Sequence, residues 1–170
     1  MSVADDTPVA LRRWRCSDAP WCVECSREQE IQRFSADRAD LTPADVAASI
    51  EASRADADRD AFLICSAGRG RRLGNLAVEY FGRTAHVSYW VAADARGRRV
   101  AANALVLLLQ SLRREQRVDA VELWAHAENI GSQRAAERAG FVRDPAADRE
   151  RVVKKVVRPT VAYRFDLDVP

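Results

Sequence analysis

The residues best suited to chemistry lie between Tyr89 and Leu105, where a strand runs through a short Arg- and Gly-containing loop into an apolar helix. The first N–H groups of a helix have no intrahelical partners, and the helix dipole adds positive charge, so a pyrophosphate is stabilised there. Arg96, Arg98 and Arg99 add charge-assisted contacts, and Gly97 lets a phosphate approach the backbone closely. The pattern predicts a phosphate-binding loop. A solvated basic loop before an ordinary core helix is the alternative.

The same segment resembles the acetyl-CoA motif of GNAT acetyltransferases, commonly written Q/R-x-x-G-x-G/A. Arg96 stands at its first position and Ala101 at its last. Arg99 stands where the central glycine is usual, so the backbone conformation of the loop is left open by the sequence. The resemblance implies that coenzyme phosphates bind to the loop residues Arg96, Gly97, Arg98, Arg99, Val100 and Ala101.

A second block, from Glu122 to Val142, resembles the downstream GNAT motif, in which an Asn and a Ser open a helix that ends in Gly-Phe. Those positions are filled by Asn129, Ser132, Gly140 and Phe141. Upstream, Glu30 to Phe34 is similar to the ribosomal-protein N-terminal acetyltransferase branch, in which an early helix and loop line the acceptor site. The three segments occur in the order typical of the family.

The resemblance implies an α/β fold, a three-layer sandwich with a central mixed, mostly antiparallel sheet of about six or seven strands and about four helices. It also implies one domain over residues 1–170, which transfers acetyl from acetyl-CoA directly to a primary amine of a protein N-terminus or small molecule. Two neighbouring strands of this fold splay apart to admit the pantetheine, whose amides pair with backbone near Tyr89, Trp90 and Val91. Asn129 and Ser132 complete the implied coenzyme site.

Direct transfer needs an acid for the leaving thiolate and a base for the amine proton. Many GNAT enzymes use a tyrosine as the acid, but that position is Ala136 here, so the resemblance implies Ser132 instead. A first-turn serine bonding its own backbone is the alternative. We consider Glu150 for the base, although an exposed carboxylate is its more ordinary interpretation. The other candidates are Glu79, His86, Glu122 and His126, or a relay through water.

Two further functions remain open at this point. Arg99 and the missing tyrosine are also compatible with a non-catalytic acyl-CoA-binding module. The arginine clusters could contact nucleic acid, but 27 basic residues are balanced by 25 acidic ones, which makes nucleic acid an unlikely partner. The acceptor amine is not identified by the sequence. We expect residues 33–60, rich in Asp and Glu, to form one wall of its site.

Length and composition limit the remaining classes. The 170 residues suit a single core, and no apolar run approaches the roughly 20 residues that a membrane-spanning helix needs. No secretory signal is visible, so we expect a cytoplasmic protein, either a monomer or a homodimer. Cys22 and Cys25 are spaced for one face of a helix, where free cysteines pack as small hydrophobes, and we predict no metal site.

The predicted secondary structure alternates strands and helices in the order typical of an α/β sandwich. A capping box at Thr42, Pro43 and Asp45 predicts a helix to about residue 54. Strands are predicted at residues 11–15, 61–65, 73–81, 84–91, 121–126, 151–157 and 161–167. Further helices are predicted after Ser17 or Asp18, from 97 to about 116, and from about 129 to 139.

Overall fold

The computed structural model describes residues 8–167. Within them, eight strands form one sheet: β1 (Val9–Arg13), β2 (Arg59–Ser66), β3 (Arg72–Phe81), β4 (Thr84–Val91), β5 (Ala120–His126), β6 (Val142–Arg143), β7 (Arg149–Val153) and β8 (Val156–Asp166). Five α-helices accompany it: α1 (Ala19–Ser26), α2 (Gln29–Phe34), α3 (Pro43–Ala55), α4 (Val100–Glu115) and α5 (Ile130–Arg138). The predicted α/β class is confirmed, with a slightly higher count of strands and helices than expected.

The strand order is β1-β2-β3-β4-β5-β8-β6, and β7 pairs with β8 outside this path. Every pair is antiparallel except β4 with β5, which run parallel. A parallel pair needs a crossover connection, and here the crossover is α4. The sheet is therefore mixed and mostly antiparallel, as predicted.

Helices α4 and α5 cover one face of the sheet, and α1 and α3 cover the other. The apolar period of α4 buries Val100, Leu105, Leu108 and Leu112 against alternate residues of β3, β4 and β5. We call this side the α5 face. On the opposite side, which we call the α1 face, a smaller apolar cluster joins the two helices to β2.

A buried ion cluster also stabilises the α1 face. Asp18 has no exposed surface and accepts hydrogen bonds from Arg12 at 2.7 and 2.9 Å, from Arg72 at 2.7 Å and from the Arg15 N–H at 3.0 Å. Burial alone would raise the pKa of Asp18, but these donors lower it far below its usual value. The cluster ties β1 and β3 to the start of α1.

The capping box of α3 is confirmed, because the Thr42 side chain accepts from the Asp45 N–H while the Asp45 carboxylate accepts from the Thr42 N–H. The first strand begins and ends two residues earlier than predicted, at Val9 and Arg13. Trp14 leaves the strand and donates its indole N–H to Asn75 at 3.0 Å. The local sequence pattern thus predicted β1 and α3, whereas a contact with a distant residue determines where β1 ends.

The C-terminal strands differ from the prediction in their boundary. The turn lies at Lys154 and Lys155, both with positive φ, rather than at Arg158 and Pro159. Pro159 lies inside β8, beyond the last pair that β8 makes with β5, which is Thr160 with His126. Its missing N–H therefore removes no bond from that ladder, which explains why a proline is tolerated.

Candidate functional site

The sheet opens between β4 and β5. These parallel strands pair only from Thr84 to His86 and from Ala120 to Glu122, and beyond those residues they diverge. The rest of β4 stays paired with β3, and the rest of β5 with β8. Between them lies a cleft of about 670 Å³. Among the described residues, each of these two strands therefore has one backbone edge without a strand partner along this cleft.

The loop between β4 and α4 forms one end of the cleft. Gly97 has φ 76°, and Arg99, which immediately precedes α4, has φ 57° and ψ 16°. Arg99 thus takes up the left-handed conformation that glycine adopts without strain. The non-glycine residue is accommodated at the helix start at a cost of roughly 1 kcal/mol. Because both residues have positive φ, α4 begins at Val100 rather than at Gly97 as predicted.

The arginines of this loop have different surroundings. The Arg96 guanidinium donates to Glu28 and Glu30, both at 2.6 Å, and to the Val91 carbonyl at 3.1 Å. The hydrogen bond from Arg96, opposed by burial, lowers the pKa of Glu28. The side chain of Arg96 therefore fastens the loop to the start of α2, where the prediction had placed a coenzyme contact.

Other arginines are free of such pairing. Neither Arg98 nor Arg99 forms an ion pair with a described residue, and Arg99 lines the cleft. Arg134 and Arg138 of α5 also line it and likewise form no ion pair within residues 8–167. We did not predict these two residues from the sequence. Their spacing of four on α5 was the signal that they share one helix face.

A pair of hydroxyl groups lies where β4 meets the start of α5. The Ser132 hydroxyl donates to Tyr89 Oη at 2.9 Å, and the Tyr89 hydroxyl donates to the Ser132 carbonyl at 2.9 Å. The Asn129 side chain caps α5 by accepting from the Ser132 N–H at 3.1 Å. Burial raises the pKa of Tyr89 to about 12, so its hydroxyl stays protonated at neutral pH.

Tyr89 was predicted to contribute only backbone to the site. Its side chain lies on the α5 face, as the alternation of β4 predicted, and packs against the core there. Its hydroxyl reaches α5 one turn before Ala136, the position at which the sequence lacks the usual tyrosine. A tyrosine hydroxyl is thus supplied to this region from β4.

His126 lies at the other side of the same opening. It ends β5 with 3% of its surface exposed, and it lines the cleft. Its ring is 5.7 Å from the rings of both Phe34 and Trp124. Neither imidazole nitrogen has a hydrogen-bond partner among the described residues. Burial lowers the pKa of His126, and nearby Arg158 lowers it further, so the ring is neutral at pH 7.

The remaining candidate bases line the cleft, and each contacts another charged or titratable side chain. Glu79 lines the cleft and pairs with Arg59 at 3.1 Å. Glu122 and His86 also line it and contact each other at 3.1 Å. Arg164 pairs with Glu122 from β8 at 2.7 Å.

Glu150, the base considered first from the sequence, has a different location. It is exposed on β7, opposite Pro159 of β8, and does not line the cleft. The structure therefore does not bring Glu150 together with Ser132. Glu150 lies near the start of the penultimate strand, as expected, but among the described residues that strand pairs only with β8, outside the path of the other strands.

The acceptor wall and the cysteines are also located by the structure. Of the segment 33–60, residues 34–37 line the cleft, whereas α3 does not.

Cys22 packs against the apolar cluster of the α1 face, as predicted. Burial raises the pKa of Cys22 to about 12 and that of Cys25 to about 11, so both are thiols at neutral pH.

Comparison with known proteins places this geometry in a family. The sequence matches the family described as "Acetyltransferase (GNAT) domain" over residues 9–142, and the chain belongs to that family. It is an acyltransferase by class. A comparison with curated proteins finds no significant match.

Several solved structures share the fold. Spermidine N-acetyltransferase from Vibrio cholerae, crystallised with CoA and spermine, has a TM-score of 0.81 at 14% identity over 94% of this chain and 95% of the other. An acetyltransferase of Salmonella typhimurium that modifies the N-terminal serine of ribosomal protein L7/L12 has a TM-score of 0.80 at 14% identity, covering 95% and 96%. Ribosomal-protein-S5-alanine acetyltransferase from Vibrio fischeri has a TM-score of 0.81 at 12% identity, covering 94% and 93%.

No helix among residues 8–167 combines the length and apolar character that crossing a bilayer requires.

Proposed function

We propose that this protein transfers the acetyl group of acetyl-CoA directly to a primary amine. The observation that carries the proposal is the opening between β4 and β5, with unpaired arginines at one end and the Tyr89–Ser132 hydroxyl pair beside it. The spermidine acetyltransferase of similar fold was crystallised with CoA. One ribosomal-protein enzyme modifies an N-terminal serine, and another is a ribosomal-protein-S5-alanine acetyltransferase. These precedents support an amine acceptor without choosing among polyamines and peptides.

The chain has suitable groups for the phosphates of the coenzyme. The first N–H groups of α4 point out of the helix start, and the helix dipole favours an anion there. Arg99 from the loop and Arg134 and Arg138 from α5 all line the cleft. Because these guanidinium groups have no carboxylate to release, their interaction with phosphate is not offset by a broken ion pair.

The edges of β4 and β5 suit the remaining part of acetyl-CoA. Backbone N–H and C=O groups of β4 beyond His86 have no strand partner on the β5 side within the described residues. They can pair with the pantetheine amides, and a backbone N–H aimed at the thioester carbonyl stabilises the negative charge that develops on its oxygen.

The hydroxyl pair supplies the acid. As the amine nitrogen bonds to the acetyl carbon, the C–S bond breaks and its electron pair remains on sulfur. Ser132 donates a proton to that sulfur, and the Tyr89 hydroxyl, once it turns from the Ser132 carbonyl to the serine oxygen, replaces that proton across the 2.9 Å contact. The attacking amine nitrogen loses one proton as the amide forms, and this proton restores the one that the hydroxyl pair gave to sulfur. This pair favours catalysis over the non-catalytic acyl-CoA-binding alternative.

A product assay tests the proposal. Purified protein is incubated with acetyl-CoA and, in turn, spermidine, a peptide that begins with serine and a peptide that begins with alanine, and products are identified by mass spectrometry. We expect a 42 Da increase on at least one amine, roughly the mass that an acetyl group adds. Tight acetyl-CoA binding by calorimetry with no acetylated product would instead support the binding module.

A further inference from the structure

The buried imidazole of His126 has no structural partner that explains it. A buried polar group without a hydrogen bond costs roughly 1–3 kcal/mol, and native proteins retain such groups rarely. Both nitrogens of His126 are in this state, with the residue 3% exposed. His126 lines the cleft between β4 and β5. A partner for the imidazole would therefore arrive through that cleft.

The side chains of β5 alternate between the two faces of the sheet, and this determines the side from which a partner reaches the His126 imidazole. Val121 and Leu123 pack in the core under α4, so Glu122, Trp124 and His126 point to the opposite side of the sheet. Ser132 and Tyr89 belong to the α5 face. His126 and the hydroxyl pair thus line one cleft from opposite faces of the sheet.

The carboxylates of the cleft already contact other charged or polar groups. Glu30 is held by Arg96, Glu79 by Arg59, and Glu122 by Arg164. Asp37 lies near Lys154 and the Trp90 indole, and burial raises its pKa. By contrast, the nitrogens of His126 face no hydrogen-bonding group in the described part of the chain.

We propose that the acceptor amine binds on the side of the opening formed by Phe34, Trp124 and His126, with its nitrogen against the His126 imidazole, which removes one of its protons. The inference rests on the proposed acetyl transfer. The amine nitrogen is held by a hydrogen bond to the neutral imidazole. The guanidiniums of Arg33 and Arg151 lie over the rings of Phe34 and Trp124, at 4.9 and 4.7 Å, and their positive charge favours loss of a proton from the bound ammonium. The ligand class is a primary amine that is protonated in solution.

The protons balance in this arrangement. The ammonium gives one proton to His126, which later releases it to water, and the freed lone pair forms the C–N bond. The C–S bond breaks with its electron pair on sulfur. The second proton that the nitrogen loses replaces the one that the hydroxyl pair of Ser132 and Tyr89 delivers to sulfur.

The charges around His126 keep its imidazole available as an acceptor of protons. Burial and Arg158 disfavour the protonated ring, whereas Glu128 favours it. Glu128 is itself paired with Arg33 at 2.6 Å, which weakens its influence. The uncharged ring therefore predominates above pH 6.5, its ordinary pKa, and the proposed step is fastest there.

The chain contains two histidines, which provides a matched control. His126→Gln is expected to lower kcat/KM about 100-fold, the usual loss when a general base is removed. It should also remove the loss of rate expected of the wild type as the pH falls through the lowered pKa of His126. His86→Asn changes a partly exposed histidine already paired with Glu122, so it should retain this pH profile.

A second measurement does not depend on activity or on the folding of a variant. The two imidazole signals of the wild type are followed by NMR with CoA present while n-propylamine, a minimal primary amine, is added. The His126 signals should shift and those of His86 should not. No shift at His126, or a His126→Gln enzyme with the wild-type rate and pH profile, overturns the inference. In either case acetyl-CoA binding and transfer by the wild type would leave the proposed function intact, whereas their absence would reject that function itself.

Discussion

The two faces of the sheet are stabilised in different ways. On the α5 face, apolar packing of α4 forms the larger part of the core, and arginines of α5 remain without ion pairs in the described structure. On the α1 face the apolar cluster is smaller, and carboxylates are paired with arginines, as in the Asp18 cluster. The face that is proposed to receive phosphate thus keeps its cations free, whereas Asp18 on the α1 face is paired and the uncharged His126 has no hydrogen-bond partner among the described residues.

The largest expected effect is a loss of kcat when the Ser132 hydroxyl on the α5 face is removed. Ser132→Ala removes the hydroxyl that donates to Tyr89, and we expect kcat to fall more than about 100-fold, which is roughly 3 kcal/mol. Acetyl-CoA affinity by calorimetry should change little. Ser111→Ala is the matched control, because Ser111 is exposed on α4 and bonds only to Glu115. Equal rates for the two variants would remove Ser132 from the proposed mechanism.

The second effect concerns the ion cluster of the α1 face. Asp18→Asn leaves Arg12 and Arg72 without their carboxylate, and we expect the free energy of unfolding in urea to fall by about 2 kcal/mol. This is less than a fully buried pair costs, because both arginines are partly exposed. Asp40→Asn, which alters a surface pair with Arg38, should change stability little.

The same carboxylate predicts a pH dependence of stability. Since the folded-state pKa of Asp18 lies below its unfolded value, its contribution is complete above about pH 4 and is lost as the pH falls further. The difference in unfolding free energy between wild type and Asp18→Asn should therefore narrow below pH 4. A difference that stayed constant down to pH 2 would contradict this account.

A smaller effect tests the free arginines of α5. Replacing both Arg134 and Arg138 by Ala should weaken acetyl-CoA binding about 10-fold, which is about 1.4 kcal/mol, and should reduce the salt dependence of that binding. Arg114→Ala on the exposed side of α4 serves as the control. Calorimetry at two salt concentrations gives the result, and unchanged affinity in the double variant would place the phosphates elsewhere.

The smallest effect compares the two ends of α4. Arg99 and Gln116 both have left-handed backbone conformations, with φ 57° and 54°. Replacing either by Gly should raise the unfolding free energy by less than about 1 kcal/mol, since relief of strain is partly offset by unfolded-state entropy. Only Arg99→Gly should also weaken acetyl-CoA binding, by a few-fold. Equal affinities for both variants would show that the Arg99 side chain does not contact the ligand.

The α5 face was predictable because its signals are local. The apolar period of α4, the glycine-containing loop before it and the Asn129 cap of α5 each depend on residues close in sequence. These signals also located Ser132. The sequence showed that Arg99 replaces the usual glycine of the motif. It did not show that Arg99 has a positive φ, because arginine rarely adopts that conformation.

The acceptor side was less predictable because it is assembled from distant residues. His126 becomes buried only when Phe34 of α2 packs against it from nearly a hundred residues away along the chain. The guanidinium of Arg96 is held in ion pairs because the start of α2 brings Glu28 and Glu30 to it. The turn at Lys154 and Lys155 was not predicted because it carries no glycine, asparagine or proline to mark it.

A crystal structure with acetyl-CoA tests the central claim most directly. The account predicts the diphosphate within hydrogen-bond distance of the first N–H groups of α4, the pantetheine along the free edge of β4, and the sulfur next to Ser132. Acetyl-CoA bound at any other surface, with β4 and β5 still parted and empty, would contradict it.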